Sequence, residues 1–269
     1  MDEMEIIILL CSFWGTAVFL KSWYGGVFNI YPKRENRLIK NMCALLPVLV
    51  FIIILYTLRN LASYDVVMSL IYIYFYIFLG FIWLAATMRF SFYCLNISWK
   101  DDVMENRNKA ALWALVGILL GAALIYSGAN IGDGPGWWCV IFAGGLGMIM
   151  WFILGAIMIK FTQVGDSITI DRNVGSGIRY GSYLLASGLI LGRASSGDWT
   201  SFESTVIEFG VGWPVLFLAL LVFLVELYYG HDSNSVEERI KNRIGSSIIW
   251  GSLYMIIAVT SVLFVGNFY

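Results

Sequence analysis

The sequence predicts an all-α integral membrane protein, with eight transmembrane helices arranged as four parallel two-helix repeats and both termini outside the cytoplasm. Three observations carry this reading. Of 269 residues, 59% are hydrophobic and 13% are charged, with a mean hydropathy of +0.78; a soluble domain has about a quarter charged residues. Lys and Arg collect in alternate loops. A short charged signature recurs before every second apolar run. At about 20 apolar residues per crossing, the chain has room for eight spans and short loops, and no stretch is polar enough for a soluble domain.

The runs fall at 5–30, 40–58, 66–98, 110–131, 136–162, 174–195, 209–229 and 245–267. The first follows Met1-Asp2-Glu3-Met4-Glu5, acidic where a secretory signal is basic, and no small-residue cleavage site follows it. It is expected to stay as the first span. Trp23, Tyr24, Tyr31, Trp99, Trp137, Trp138, Trp199, Tyr228 and Tyr229 gather near the run ends, where headgroups anchor amphipathic rings.

Orientation follows from the basic residues. Loops after odd-numbered runs hold Lys33, Arg34, Arg37, Lys40, Lys100, Arg107, Lys109, Arg172, Arg239, Lys241 and Arg243, whereas the opposite loops hold only Arg59 and Arg193. The positive-inside bias assigns the first set to the cytoplasm. The outer face is then acidic, with Asp2, Glu3, Glu5, Asp65, Asp133, Asp198, Glu203 and Glu208. A net charge of −1 offers no basic surface for nucleic acid.

The signature reads Glu35-Asn36-Arg37, Glu105-Asn106-Arg107, Ile170-Asp171-Arg172 and Lys241-Asn242-Arg243, with the arginines 70, 65 and 71 residues apart. Four units follow, approximately 1–62, 63–134, 135–199 and 200–269, within a single membrane domain. Residues 101–133 overlay 166–198 with ten identities, among them Arg107/Arg172, Asn108/Asn173, Gly132/Gly197 and Asp133/Asp198. At an offset of 70, Gly175-Ser176-Gly177-Ile178 meets Gly245-Ser246-Ser247-Ile248, and Gly181-Ser182 meets Gly251-Ser252. The first unit rests on Glu-Asn-Arg and its spacing. Two-helix units return the chain to its starting side, so the repeats are parallel, unlike the inverted repeats of many transporters. A pseudo-fourfold or paired arrangement is the expectation.

A hairpin whose second helix opens with Asn after a charged turn, then runs through small residues, resembles domain-of-unknown-function family 350. The matching stretch is Asp166 to Trp199, with Arg172-Asn173, Gly175, Gly177, Gly181, Gly188 and Gly192, and Asp101 to Gly134 is a fainter copy. The resemblance implies a bacterial inner-membrane protein built of two-helix units, and it implies no reaction. The chain is about twice the usual length of that family. Leu38 and Ile244 stand where the first and last units lack the helix-opening Asn.

Candidate functional residues form three groups. Gly117/Gly121, Gly177/Gly181, Gly188/Gly192 and Ser247/Gly251 are each four apart, which puts each pair on one helix face. Small residues let helix backbones approach closely in lipid, so the even-numbered spans are expected to form the packed inner layer. The signature residues Asn36, Arg37, Asn106, Arg107, Asp171, Arg172, Asn242 and Arg243 read as cytoplasmic N-caps with headgroup-pairing arginines. The alternative is a ring of four arginines around one anion-attracting mouth. Intramembrane charge is the third group, because burying it costs a few kcal/mol on insertion scales. Lys21, Arg89 and Glu226 lie 15, 17 and 16 residues before the signature Asn of their units, and Arg179 sits within span six. Were the units to close on themselves, Glu226 would face Lys21. For Lys160 and Glu226, snorkelling to the boundary is an equal alternative.

Catalysis lacks materials. His231 is the only histidine, so multi-His zinc sites and Ser-His relays cannot be built. No Gly-Lys-Ser/Thr phosphate loop occurs. Cys11, Cys43, Cys94 and Cys139 are widely spaced in or beside apolar runs and read as small hydrophobes. No metal and no cofactor is expected. The expected partners are the lipid bilayer and either further copies or other membrane proteins. The function expected is that of a non-catalytic structural or assembly subunit. The alternative is an ion channel or small-solute transporter using Lys21, Arg89 and Glu226.

Overall fold

The computed structural model describes residues 1–29, 37–231 and 237–265, and among these every regular element is helical. Eight helices are long: α1 (Glu3–Asn29), α2 (Arg37–Asn60), α4 (Leu70–Leu95), α5 (Lys109–Gly128), α6 (Trp137–Phe161), α8 (Val174–Ala194), α10 (Pro214–His231) and α11 (Glu237–Val265). Three short helices join them: α3 (Tyr64–Met68), α7 (Val164–Thr169) and α9 (Phe202–Phe209). A π-helical turn, Trp99–Glu105, precedes α5.

Six of the long helices are long and apolar enough to cross a membrane. A seventh crossing exists if α9 and α10 count as one span, bent by 41° at the Gly210–Gly212 turn. The exception is α8. It carries Arg179, Arg193 and five glycines, and its mean hydropathy is correspondingly low for its 21 residues. Its polarity is sheltered by protein, since α5, α6, α10 and α11 all pack on it.

The inner helices α2, α5, α8 and α11 stand side by side in that order. α5 and α8 run parallel, because Ala110 lies against Gly177 at one end and Gly128 against Gly192 at the other. The segments that follow these helices also line up: Ala62 bridges Gly132 in parallel, and the Gly197 N–H donates to Ile131 O at 3.0 Å. The row is open, since α2 packs on α5 and α11 on α8, and α2 and α11 form no packed interface. Of the pseudo-fourfold and paired arrangements expected from sequence, a closed fourfold ring is therefore not formed among the described residues. Of the helices formed by the even-numbered runs, α2, α5, α8 and α11, only α5 and α8 are enclosed: 78% of the α5 span is buried, against 33% for α2 and 22% for α11. α4 and α6, from the third and fifth runs, are half-buried rather than purely peripheral, because they back the central pair.

Polar tips tie the layers together. Tyr126 Oη donates to Tyr76 O at 2.6 Å, Trp151 Nε1 to Leu184 O at 2.9 Å, and Tyr180 Oη to Gly155 O at 3.1 Å. Each ring buries its apolar body and spends its one donor on a carbonyl of a neighbouring helix.

Candidate functional site

The centre of interest is a buried charge network where α8, α10 and α11 meet. It begins with the Asn173 side chain, which accepts from the N–H groups of Gly175 and Ser176 at 3.0 and 3.3 Å and so starts α8. That start places Arg179 about a turn and a half into the helix. The Arg179 guanidinium grips Glu226 of α10 with two parallel bonds, Nε to Oε1 at 2.6 Å and Nη2 to Oε2 at 2.9 Å. Nη1 donates to Ser247 Oγ of α11 at 2.8 Å, and Nη2 reaches Ser176 Oγ at 3.3 Å. The Tyr229 ring covers the guanidinium at 4.0 Å. Arg179 is 1% and Glu226 4% exposed.

Geometry and burial together define what this cluster does. A guanidinium fork matches a carboxylate bidentately, and the remaining donors must also be satisfied when water is excluded. Ser247 and Ser176 accept two of them, and the Tyr229 ring covers one face of the guanidinium. The opposite charges meet locally, so the cluster is a buried ion-pair clasp. Among the described residues, the four principal cavities lie elsewhere and none is lined by Arg179 or Glu226.

Glu226 thus takes Arg179 rather than Lys21. The reason is the open row: α1 and α10 lie toward opposite ends of it. Lys21 and Arg89 stand exposed on the outer helices α1 and α4, and Lys160 is exposed with its ammonium 5.7 Å from the Phe161 ring centroid.

The glycines converge as a seam between α5 and α8. A Cβ added at Gly188 would stand 2.5 Å from Gly121 Cα, and one at Gly192 would stand 2.5 Å from Leu124 O. One at Gly117 or Gly181 would collide with the facing backbone. Gly251 of α11 repeats the arrangement against Ser182 of α8. Gly117 and Gly121 are not register equivalents of Gly181 and Gly188. They lie on the complementary face, which is why the two halves of the seam do not align in the repeat.

The helix caps need correcting. Asn108 and Asn173, two residues past the predicted positions, are the N-caps; Asn108 Oδ1 accepts from Ala110 and Ala111 at 2.9 and 3.2 Å. Asn106 instead closes the π-helical turn and Asp171 closes α7, their N–H groups donating to Asp101 O and Asp166 O. Between them and the caps, Arg107 and Arg172 adopt left-handed backbone, with φ of 52° and 53°, and their side chains are exposed. That reversal delays each helix by two residues. Asn242 and Arg243 lie inside α11, so they cap nothing, and their side chains, like Asn36, lie outside the described residues. Arg37 opens α2 and is exposed. The alternative ring of four arginines includes Arg243, whose side chain lies outside the described residues. Asn108 has a second role that sequence reasoning missed: its Nδ2 donates to Ile168 O at 2.7 Å, joining α5 to α7 of the next unit.

Residues 64–194, spanning α3 through α8, match the family model described as Domain of Unknown Function (DUF350). Over that stretch, a little under half of the chain, the protein is similar to DUF350. This DUF350 stretch contains the seam, both asparagine caps and Arg179, whereas Glu226 and Ser247 lie beyond it. No curated protein and no solved structure matches the chain. The apolar helices and the DUF350 match together make this a membrane protein.

Proposed function

We propose that the chain is a non-catalytic, multi-pass protein of the bacterial inner membrane that serves as a structural or assembly subunit, packing with itself or with other membrane proteins. All eight long helices cross in this reading, with α8 shielded by its neighbours. The basic loops face the cytoplasm, and the start of α1 and the end of α11 face outward. The observation that carries the reading is the inner row itself. Its central helices meet backbone to backbone, and the buried Arg179–Glu226 pair is bidentate and held further by Ser176 and Ser247. Such an interior favours rigidity over passage.

The test is the assembly state in native membranes. Chemical cross-linking of intact cells followed by native electrophoresis in a mild detergent should give a discrete species larger than one chain. A single chain under both conditions would overturn the reading.

A second reading, passage of an ion or small solute, draws on the charges Lys21, Arg89, Arg179 and Glu226 in or beside the spans. Under it, Lys21→Leu or Arg89→Leu abolishes flux in proteoliposomes. Unchanged flux counts against it.

A further inference from the structure

Where α2, α5 and α8 stop, the repeat brings three turns together around a polar recess. Ser63, Asp133 and Asp198 hold the same register position, 70 and 65 residues apart. Their backbones lie side by side. Ala62 bridges Gly132, the Trp199 N–H donates to Asp133 O at 2.7 Å, and the Asp133 N–H donates to Asp198 Oδ1 at 2.8 Å. All three residues line the recess, whose inner end also takes in Tyr76, Asn130 and Ser195. Its mouth opens past Glu5, Asp65, Tyr72 and Trp199 into a cavity of about 680 Å³, a size in the ~300–1,000 Å³ range of small-molecule sites.

The inner end holds polar groups that the protein leaves unsatisfied. Tyr76, Asn130 and Ser195 are each 7% exposed. Tyr126 Oη fixes Tyr76 by donating to its carbonyl at 2.6 Å, and the Tyr76 hydroxyl itself has no hydrogen-bond partner among the described residues. Asn130 spends Nδ2 on Tyr126 O at 2.8 Å, which leaves Oδ1 for the recess. Ser195 Oγ is buried without a partner. Buried polar groups are normally paired, so three orphans at one end of one recess point to an occupant.

Charge and aromatic rings say what kind. Carboxylates of Glu5, Asp65, Asp133, Asp198 and Glu208 line the recess, and no Lys, Arg or His is among its lining residues. The amino terminus, 3.8 Å from Glu5, lies outside that lining. Arg193 lines an adjoining cavity on the Glu208 side, with Nη1 donating to Ser196 Oγ at 2.8 Å. Among the described residues no three acidic side chains converge closely enough to hold a metal ion. Dispersed carboxylates suit a cation of several atoms instead. Tyr64, Tyr72, Tyr76 and Trp199 stand among them, and aromatic faces attract cations. Trp199 is held in place by Trp138 and Phe202, with ring centroids 4.8 and 5.0 Å away. We propose that this recess binds an organic ammonium ion, its carbon groups against Tyr72, Tyr76 and Trp199 and its charge facing the carboxylates of Glu5, Asp65 and Asp133. The site stands apart from the assembly reading, since a recess at one end of the bundle needs no path through it. The same ammonium chemistry is offered by a free amine and by a choline lipid headgroup.

The experiment is calorimetric titration of the full chain, in phosphatidylglycerol nanodiscs at fixed ionic strength, with choline. Saturable binding is expected, and the neutral isostere 3,3-dimethyl-1-butanol should not bind. Asp133→Asn changes an exposed side chain while keeping the backbone bond to Asp198, and Tyr72→Leu removes a ring from the mouth. Each should weaken choline binding about fivefold or more, whereas Asp171→Asn, at the far end of the bundle, should leave it unchanged. Repeating the titration in phosphatidylcholine nanodiscs separates the two sources. Unchanged affinity supports a soluble ammonium ion, and loss of the signal by competition supports the lipid headgroup. Absence of choline binding in phosphatidylglycerol overturns the proposal. So does equal binding of the neutral isostere, or full affinity in Asp133→Asn and Tyr72→Leu alike.

Discussion

Arg179 and Glu226 are each worth little as isolated charges and a great deal as a pair. Breaking a buried pair leaves one ion stranded, at a cost of about 3–5 kcal/mol. Arg179→Leu or Glu226→Gln should therefore lower the thermal unfolding midpoint sharply in detergent. Arg179→Met combined with Glu226→Leu should recover most of the loss, because neither charge is then stranded. Equal instability of the single and double variants would remove the clasp. The caps make a second comparison. Asn173→Ala removes a cap, worth about 1 kcal/mol. Asn108→Ala removes a cap and also strands the buried Ile168 carbonyl, so it should be the more destabilising of the two. Unfolding midpoints measured side by side decide the order. Arg179 and Glu226 stood out in the sequence as charges in apolar runs. Their pairing did not, because it depends on which helices are neighbours and linear spacing does not carry that. The caps were misplaced by two residues because sequence shows Asn106-Arg107-Asn108 and Asp171-Arg172-Asn173 without showing that the arginine reverses the backbone before the second capping residue.

At the scale of elements, the seam between α5 and α8 is the most demanding contact. In lipid no hydrophobic effect draws helices together, so close backbone packing supplies the attraction. Gly188→Val would force α8 away from Gly121 and should cost about 1–3 kcal/mol or more. Gly145 of α6 is the matching control, with nothing within 4 Å of an added Cβ. Gly145→Ala should be neutral or stabilising by up to about 1 kcal/mol, as for other helix glycines. Equal losses in the two variants would show that the seam carries no special packing. The helices were legible because runs of 20 or more apolar residues have few alternatives. The inner layer was legible only at its centre. Gly117, Gly181 and Gly188 mark contact faces, whereas the burial of α2 and α11 depends on their place at the ends of the row.

For the whole molecule, orientation is the property most open to direct test. Single cysteines at Asp133 and Asp198 should react with a membrane-impermeant maleimide added to intact cells. Labelling only after lysis would invert the topology. Both positions are exposed and joined, Asp133 N–H to Asp198 Oδ1 at 2.8 Å, so they must report the same side. The parallel course of α5 and α8 was visible in the offset of 65 between their sequences. An open row was not visible, because equal spacing along the chain fits a ring as well as a line. What distinguishes them is contact between the first and last units.

The clasp also has a consequence for how the chain enters the bilayer. α8 carries an arginine whose carboxylate partner lies 47 residues further along and whose serine partner lies 68 residues further along. On translocon scales an arginine costs up to about 2.5–3.5 kcal/mol, the value at a helix centre, and the glycines of α8 add nothing to offset the cost of Arg179. During synthesis α8 is thus a poor candidate for release into lipid by itself, and its residence there depends on residues not yet made. A chain truncated at residue 212 should leave the 174–194 segment only partly inserted in a glycosylation-mapping assay, whereas the full chain inserts it completely. The last two helices then act as the retroactive counter-ion and wall of a helix translated before them.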